Sequence, residues 1–108
     1  MRDTYRHKGM RRKLVEELRE KGIRDERILQ AFMQLPRHYF LDDAFDEWAY
    51  KDKPFPIGNE QTISQPYTVA FQTALLNVEP GQKILEIGTG SGFQAAILAL
   101  MGANANTI

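Results

Sequence analysis

Two stretches near the start of the chain show the spacing of hydrophobic residues that is typical of amphipathic helices. In the first, the apolar positions are Met10, Leu14, Val15 and Leu18. This spacing places their side chains on one face of an α-helix. Gly22 follows, and glycine readily takes the left-handed conformation in which helices end. The pattern therefore predicts a first helix that ends before Gly22.

The second stretch has a cap, an apolar face and a stop signal. Asp25 is a good N-cap residue. The apolar face comprises Ile28, Leu29, Phe32, Met33 and Leu35. Pro36 should end this helix, because a proline disfavours helical conformation in the residue before it.

The middle of the chain shows weaker periodicity. Residues 37–50 are rich in aromatics, and we expect an irregular segment with a short helical turn at 43–48. Two prolines exclude regular helix from residues 53–58. Residues 59–65 indicate an extended loop. Pro66 suits the first position of a helix that runs to about Leu76.

The last third of the chain alternates between strand and helix patterns. Residues 79–82 indicate a turn, and residues 83–87 a short apolar strand. A glycine-rich segment, 88–92, follows directly, and residues 93–101 form a strongly apolar helix that Gly102 ends. Residues 103–108 should begin a second strand. This order predicts the opening of a βαβ unit.

Composition limits the kinds of chemistry open to the chain. It has 108 residues, 43% of them hydrophobic, and no cysteine. One domain with a small core is the limit at this length. Disulfides and any cysteine-based metal or nucleophile chemistry are excluded. Without a membrane-spanning run or the apolar core of a signal peptide, a cytoplasmic setting fits best.

The formal net charge of zero conceals an uneven distribution. Residues 1–27 hold ten basic and six acidic residues, and the remainder holds four basic and eight acidic ones. A basic arm can indicate nucleic-acid binding. However, pairs such as Glu17 and Lys21 have helical spacing, and no aromatic residues interleave with the bases. We therefore expect a solvated helix face and no nucleic-acid partner.

The glycine-rich segment is suited to a ligand that approaches the backbone closely, since side chains would block that approach. It has neither the spacing of a dinucleotide-binding motif nor the lysine of a P-loop. Residues 84–92, ILEIGTGSG, resemble the first motif of class I S-adenosylmethionine-dependent methyltransferases. The resemblance implies S-adenosylmethionine as cofactor and cofactor contacts from Glu86, Gly88, Gly90 and Ser91.

A second segment narrows the resemblance. Residues 56–67, PIGNEQTISQPY, resemble the signature loop of protein-L-isoaspartate O-methyltransferases. Shorter segments agree in order and spacing: GIRD at 22–25, LPR at 35–37 with Phe40, AYKD at 49–52 and GFQAA at 92–96. The resemblance runs from about Arg11 to Ala103, almost the whole chain.

The resemblance implies methyl transfer from S-adenosylmethionine to the free carboxylate of L-isoaspartyl and D-aspartyl residues in damaged proteins and peptides, which initiates their repair. It also implies a monomer that binds neither membrane nor metal. The implied residues are Ser64 as the catalytic residue, Thr62 and Ile63 for the cofactor, and Ile57 and Gln65 for the substrate. From local sequence alone, Thr62 and Ser64 would instead cap the helix that begins at Pro66.

We expect no catalytic or ligand-binding role for the two histidines or for the aromatic residues at 48 and 50. His7 and His38 have no pattern of catalytic partners nearby, so we expect surface or packing roles for both. Trp48 and Tyr50 should anchor the core or a loop rather than form a ligand cage.

The expected fold is α/β, with N-terminal helices followed by the first βαβ unit of a Rossmann-like methyltransferase. Residues 1–78 would form a helical region that carries the active-site loop at 54–67, and residues 79–108 the start of the cofactor-binding domain. Ala105 and Asn106 replace expected apolar residues, and Ile108 precedes the expected ribose-binding acid. We therefore expect the N-terminal portion of an enzyme; the alternative is a non-catalytic remnant with at most weak binding or assembly functions.

Overall fold

The structure, a computed structural model, describes residues 2–58, 60–86 and 91–107. Two helices open the chain, α1 (Tyr5–Glu20) and α2 (Glu26–Gln34). The hydroxyl of Thr4 caps α1, and the carboxylate of Asp25 caps α2 through the backbone N–H of Arg27. Gly22 lies between the helices with φ of +105°, a value that favours glycine. Both predicted helices, the Asp25 cap and the Gly22 stop are confirmed.

Residues 37–50, the 3₁₀ segment, contain two short 3₁₀ helices that pack against each other, Arg37–Phe40 and Asp43–Tyr50, and the second is kinked at Phe45. The predicted turn at 43–48 lies within the second one. The first was not predicted, since four residues are too few to show a helical period. Tyr50 is buried, and the ring of Trp48 stacks on that of Phe55, which lies in the next element of the chain. Both residues act as the anchors that were expected.

A β-hairpin follows, formed by β1 (Phe55–Gly58) and β2 (Gln61–Ile63). The strands are antiparallel, with Phe55 opposite Ile63 and Pro56 opposite Thr62. The prediction of an extended loop for 59–65 was wrong at β2, because three residues cannot show a clear alternation of polar and apolar positions. Helix α3 (Pro66–Leu76) then begins at its predicted proline.

The chain ends in the predicted βαβ arrangement. Strand β3 (Lys83–Glu86), helix α4 (Phe93–Leu100) and strand β4 (Asn104–Thr107) follow in order, and the two strands pair in parallel. The turn before β3 is held by a 2.7 Å hydrogen bond from the N–H of Gly81 to the carbonyl of Gly102. Ile87, the predicted end of β3, and Ile108 lie outside the described residues.

The hydrophobic core joins the N-terminal helices to the βαβ region. Its fully enclosed side chains come from most elements of the fold, including Leu18, Ile28, Ile63, Val78 and Ile97. Phe32 of α2 meets Phe93 of α4 edge to face, with ring centroids 5.5 Å apart. The start of α4 is therefore fixed against the N-terminal helices. In the described ranges, no helix has both the length and the apolar character needed to cross a membrane.

The predicted solvated face of α1 has one exception. Lys21 pairs with Glu17 at 3.6 Å on the exposed side, as the spacing predicts. Arg11, by contrast, is buried and donates to both carboxylate oxygens of Asp3, at 3.1 and 2.7 Å, and to the hydroxyl of Tyr50 at 3.0 Å. A cluster of basic residues thus includes one that ties the N-terminus to the rest of the fold.

Candidate active site

The hairpin and the two residues that follow it carry five of the predicted site residues, in different environments. Thr62 and Ser64 are exposed, while Ile57 and Gln65 are half-buried. Ile63 is fully buried within the hydrophobic core. Side chains alternate between the two faces of a strand, which places Thr62 on the face opposite Ile63, and the exposed Ser64 follows directly after β2. Ile63 therefore serves packing in this structure, and contact of its side chain with a cofactor stays a prediction.

Arg37 holds the segment that follows the hairpin. Its Nη2 donates to the carbonyl oxygen of Ser64 at 2.7 Å, and its Nε donates to the carbonyl oxygen of Ala49 at the same distance. The guanidinium carbon lies 4.6 Å from the ring centroid of Phe93, a cation–π geometry. Arg37 thus joins the 3₁₀ segment, the backbone of Ser64 and the first residue of α4.

Burial makes the electrostatic setting of Arg37 unusual. Its side chain is 2% exposed. Burial lowers the pKa of Arg37 to about 10, although the nearby carboxylate of Asp52 and, to a smaller extent, the phenol of Tyr50 oppose that effect. The guanidinium therefore stays protonated near neutral pH, and both of its hydrogen bonds keep an ionised donor.

Asp52 provides the cap of α3. Its Oδ1 accepts a 2.8 Å hydrogen bond from the backbone N–H of Tyr67, and Lys21 pairs with its Oδ2. Within the described residues, the side chain of the N-cap residue Gln65 caps no backbone N–H of α3, and its Oε1 accepts only from the hydroxyl of Thr68 at 3.4 Å. The local interpretation of Thr62 and Ser64 as caps was therefore wrong, because the carboxylate of Asp52, 15 positions before Tyr67, caps the helix instead.

Sequence reasoning assigned no role to Arg37 or Asp52. Both lie in segments that carry the family resemblance, LPR and AYKD. The family resemblance was therefore the signal that could have pointed to these two residues, since neither has its hydrogen-bond partner close by in sequence. Their partners lie 27 and 15 positions away in the chain.

The glycine-rich segment lies between β3 and α4, at the carboxyl end of a parallel strand. Gly88, Gly90 and the side chain of Glu86 lie outside the described residues, so their predicted contacts stay predictions. The Oγ of Ser91 accepts from the N–H of Phe93 at 3.2 Å. Gly92 follows with φ of +82°, and no atom of the described residues lies within 4 Å of the position that a Cβ would take there. A helix N-terminus directly after a glycine-rich segment fits a ligand that approaches the backbone.

A cleft of about 560 Å³ lies beside the hairpin. It runs between β1 and residues 39–45, and its walls include Ile57, Tyr39, Phe45 and Asp42. Ile57 thus faces a space large enough for side chains of a bound peptide.

The two histidines pack inside the structure. Their rings stack with centroids 3.7 Å apart, and both side chains are buried, so the expectation of packing is confirmed and that of a surface position was wrong. Ligand atoms of Asp3, His7 and His38 lie within 4.8 Å of one another. These groups already bond Arg11, Asp46 and Tyr50, an arrangement that ties the N-terminus to the 3₁₀ segment.

Comparison with known sequences identifies close relatives. The chain is 64% identical over all 108 residues to a protein-L-isoaspartate O-methyltransferase of Cytophaga hutchinsonii and covers 49% of that protein. It is 56% identical to the protein of the same name from Christiangramia forsetii, of which it covers 51%. The chain thus spans about half the length of the curated relatives it matches.

Solved structures of proteins with the same name also match the chain. A protein-L-isoaspartate O-methyltransferase structure matches 90% of the chain with a TM-score of 0.76 and 29% identity, over 32% of its own chain. A Plasmodium falciparum protein named as the same kind of methyltransferase, in complex with S-adenosyl-L-homocysteine, matches 94% with a TM-score of 0.70 and 28% identity, over 46% of its chain. Residues 9–108 also match the family model, and the chain belongs to the protein-L-isoaspartate (D-aspartate) O-methyltransferase family.

Proposed function

We propose that the full-length protein transfers a methyl group from S-adenosylmethionine to the free carboxylate of L-isoaspartyl and D-aspartyl residues in damaged proteins. The observation that carries this proposal is the exposed Ser64 in a chain of this family. Arg37 bonds the backbone carbonyl of Ser64 and packs over Phe93 at the start of α4. That link holds the proposed substrate loop close to the helix that follows the glycine-rich segment.

The reaction places modest chemical demands on the protein. S-adenosylmethionine, when bound, supplies an electrophilic methyl carbon on a sulfonium sulfur, which keeps the electron pair of the broken bond. A carboxylate is ionised at neutral pH and needs no general base. The contribution of the protein is chiefly alignment of the carboxylate with the methyl carbon. A hairpin without histidine or cysteine is sufficient for that task.

In this proposal the hairpin orients the substrate. The Ser64 hydroxyl donates to the substrate carboxylate, and Gln65 and Ile57 contact the peptide. The relevant support is exposure of Ser64 and the position of Ile57 on the cleft wall. Thr62 and the backbone at Ile63 border the cofactor from the same strand.

The cofactor would be held at the other end of the site. Glu86, Gly88, Gly90 and Ser91 contact it in this proposal, which the helix N-terminus at Phe93 supports. Residues 1–78 would then supply the substrate side and residues 79–108 the first part of the cofactor side. We also propose that the protein works as a cytoplasmic monomer on damaged proteins and peptides.

The decisive experiment measures transfer of labelled methyl groups by the full-length protein to an isoaspartyl peptide. A peptide of the same sequence with a normal aspartyl residue is the matched control. We expect transfer to the isoaspartyl peptide alone, and the absence of transfer to it would contradict the proposal. The alternative of a non-catalytic remnant would be contradicted by transfer from the 108-residue chain itself.

A further inference from the structure

Arg37 is an arginine buried without a carboxylate bonded to it among the described residues. Its Nε and Nη2 donate to two main-chain carbonyls, and its Nη1 is buried without a hydrogen-bond partner in the same part of the structure. Enclosing a charged group is costly unless it is paired and fully hydrogen-bonded. Arg37 therefore sits in an environment that stability alone does not favour.

Arg11 provides an internal comparison. It is also buried, but it forms a two-pronged pair with the carboxylate of Asp3 and a further bond to Tyr50. That arrangement satisfies the charge of Arg11 and ties down the N-terminus. Arg37 instead donates to the backbone carbonyls of Ala49 and Ser64.

The shape of the guanidinium matters for what Arg37 connects. Its two bonded nitrogens reach carbonyls that lie 12 and 27 positions from Arg37 in sequence, while its flat face lies over Phe93. A lysine ammonium could not make this fork-shaped contact and stack on the ring at once. One planar group therefore connects the backbone of Ser64 to the first residue of α4.

We propose that Arg37 is a positioning residue for methyl transfer, and that it acts by fixing the backbone of Ser64 relative to the first turn of α4. The inference rests on the proposed function. Ser64 follows the final residue of β2, and its carbonyl bond to Arg37 restrains the backbone that carries the hydroxyl. Small displacements of an aligning group are costly in a reaction that depends on in-line geometry.

The test compares two buried arginines in the full-length protein. In Arg37→Lys, we expect kcat for an isoaspartyl peptide to fall by about 10- to 100-fold. The dissociation constant for S-adenosyl-L-homocysteine should change by less than about threefold, since the substitution removes no side chain that is proposed to contact the cofactor. Arg11→Lys is the matched control and should leave kcat close to that of the unmodified protein. Equal loss of kcat in both variants, or none in Arg37→Lys, would overturn the inference.

A double-mutant cycle separates positioning from general support of the fold. If Arg37 acts through Ser64, Ser64→Ala should cost much less activity in the Arg37→Lys background than in the unmodified protein. Equal cost in both backgrounds would overturn the inference. Arg37→Gln, which removes the buried charge but keeps a donor, is the second variant. Failure of both Arg37 variants to fold would show a role in the fold as a whole and would also overturn it.

Hydrogen exchange supplies a readout that does not need activity. The backbone N–H groups of residues 61–64 should exchange faster in Arg37→Lys than in Arg11→Lys, because only the former loosens the hairpin. Unchanged exchange in Arg37→Lys would overturn the inference. Failure of the proposed function has a different signature, since the unmodified protein would then transfer no methyl group whatever the exchange rates.

Discussion

The rings of His7 and His38 lie stacked, with their centroids 3.7 Å and their planes 12° apart. The Nε2 of His38 lies 2.8 Å from the carbonyl oxygen of Arg2, which can only accept, so this nitrogen carries the proton. Its Nδ1 then accepts from the hydroxyl of Tyr50 at 2.7 Å. On the other ring, the Nε2 of His7 lies 2.7 Å from Asp46. The stack therefore fastens the N-terminus and α1 to the 3₁₀ segment that contains Arg37.

Because His38 is buried in this stack, the free energy of unfolding should depend on pH. Burial lowers the pKa of His38 below its usual value of 6.5, and although the carbonyl of Arg2 and the charge of Asp3 oppose the shift, the charges of His7 and Arg11 add to it. The unfolded chain then binds the proton more tightly than the folded one. We predict that the free energy of unfolding falls as pH drops through about 6.5, measured by urea denaturation between about pH 8 and 5.

His38→Gln is the control for this dependence. A glutamine can accept from Tyr50 and donate to Arg2 without titrating. The slope of stability against pH near 6.5 should therefore be smaller in this variant than in the unmodified protein. Parallel curves for the two proteins would show that His38 is not the responsible group.

The contact between Asp52 and Tyr67 predicts a second stability effect. Asp52→Ala removes the capping acceptor of α3 and the partner of Lys21. Loss of a helix cap costs about 0.5–2 kcal/mol, and the Lys21 left behind is 42% exposed, so water can solvate its charge. We expect a loss of about 1–2 kcal/mol in the free energy of unfolding, measured by urea denaturation.

Asp52→Asn and Asp25→Ala serve as comparisons for this prediction. The asparagine keeps an oxygen for the N–H of Tyr67, so the loss should be smaller than in Asp52→Ala. Asp25→Ala removes the ordinary cap of α2 and should cost a similar amount. If Asp52→Ala were as stable as the unmodified protein, the capping role would be refuted.

The contrast between Asp25 and Asp52 shows what could be read from sequence. Asp25 lies directly before an apolar helical pattern, so its capping role and the bounds of α2 follow from local rules. Asp52 caps a helix that begins beyond the hairpin, and Gln65 gives no hint of it. Helices, the proline start of α3 and the βαβ order were predictable because their signals are local.

The candidate site divides in the same way. Ser64 and the predicted site residues of the hairpin came from a family motif, whereas the contact of Arg37 with Ser64 depends on how the 3₁₀ segment packs against the hairpin and the residues after it. No periodicity indicates which carbonyl a buried arginine will reach. Short elements such as β2 also escape prediction, because their conformation depends on pairing with another strand.

The burial of Ile63 predicts a large loss of stability on truncation. Ile63→Ala removes atoms from a fully enclosed side chain and leaves a cavity. We expect the free energy of unfolding to fall by about 2–5 kcal/mol by urea denaturation. Ile57→Ala, at a half-buried position of the same hairpin, should cost less. Weaker cofactor binding by Ile63→Ala at unchanged stability would instead place this side chain against the cofactor.

The exposed hydroxyl of Ser64 predicts a change in catalysis with little change in stability. Ser64→Ala removes one oxygen from an exposed side chain and leaves the carbonyl bond to Arg37 intact. If the hydroxyl orients the substrate carboxylate, kcat for an isoaspartyl peptide should fall by about tenfold or more, because alignment dominates this reaction. Affinity for S-adenosylmethionine, measured by calorimetry, should stay nearly constant. Gln61→Ala, at an exposed position of β2 that the proposal assigns to neither cofactor nor substrate, is the matched control. Equal loss of methyl transfer and cofactor affinity in Ser64→Ala would assign Ser64 to the fold or the cofactor instead.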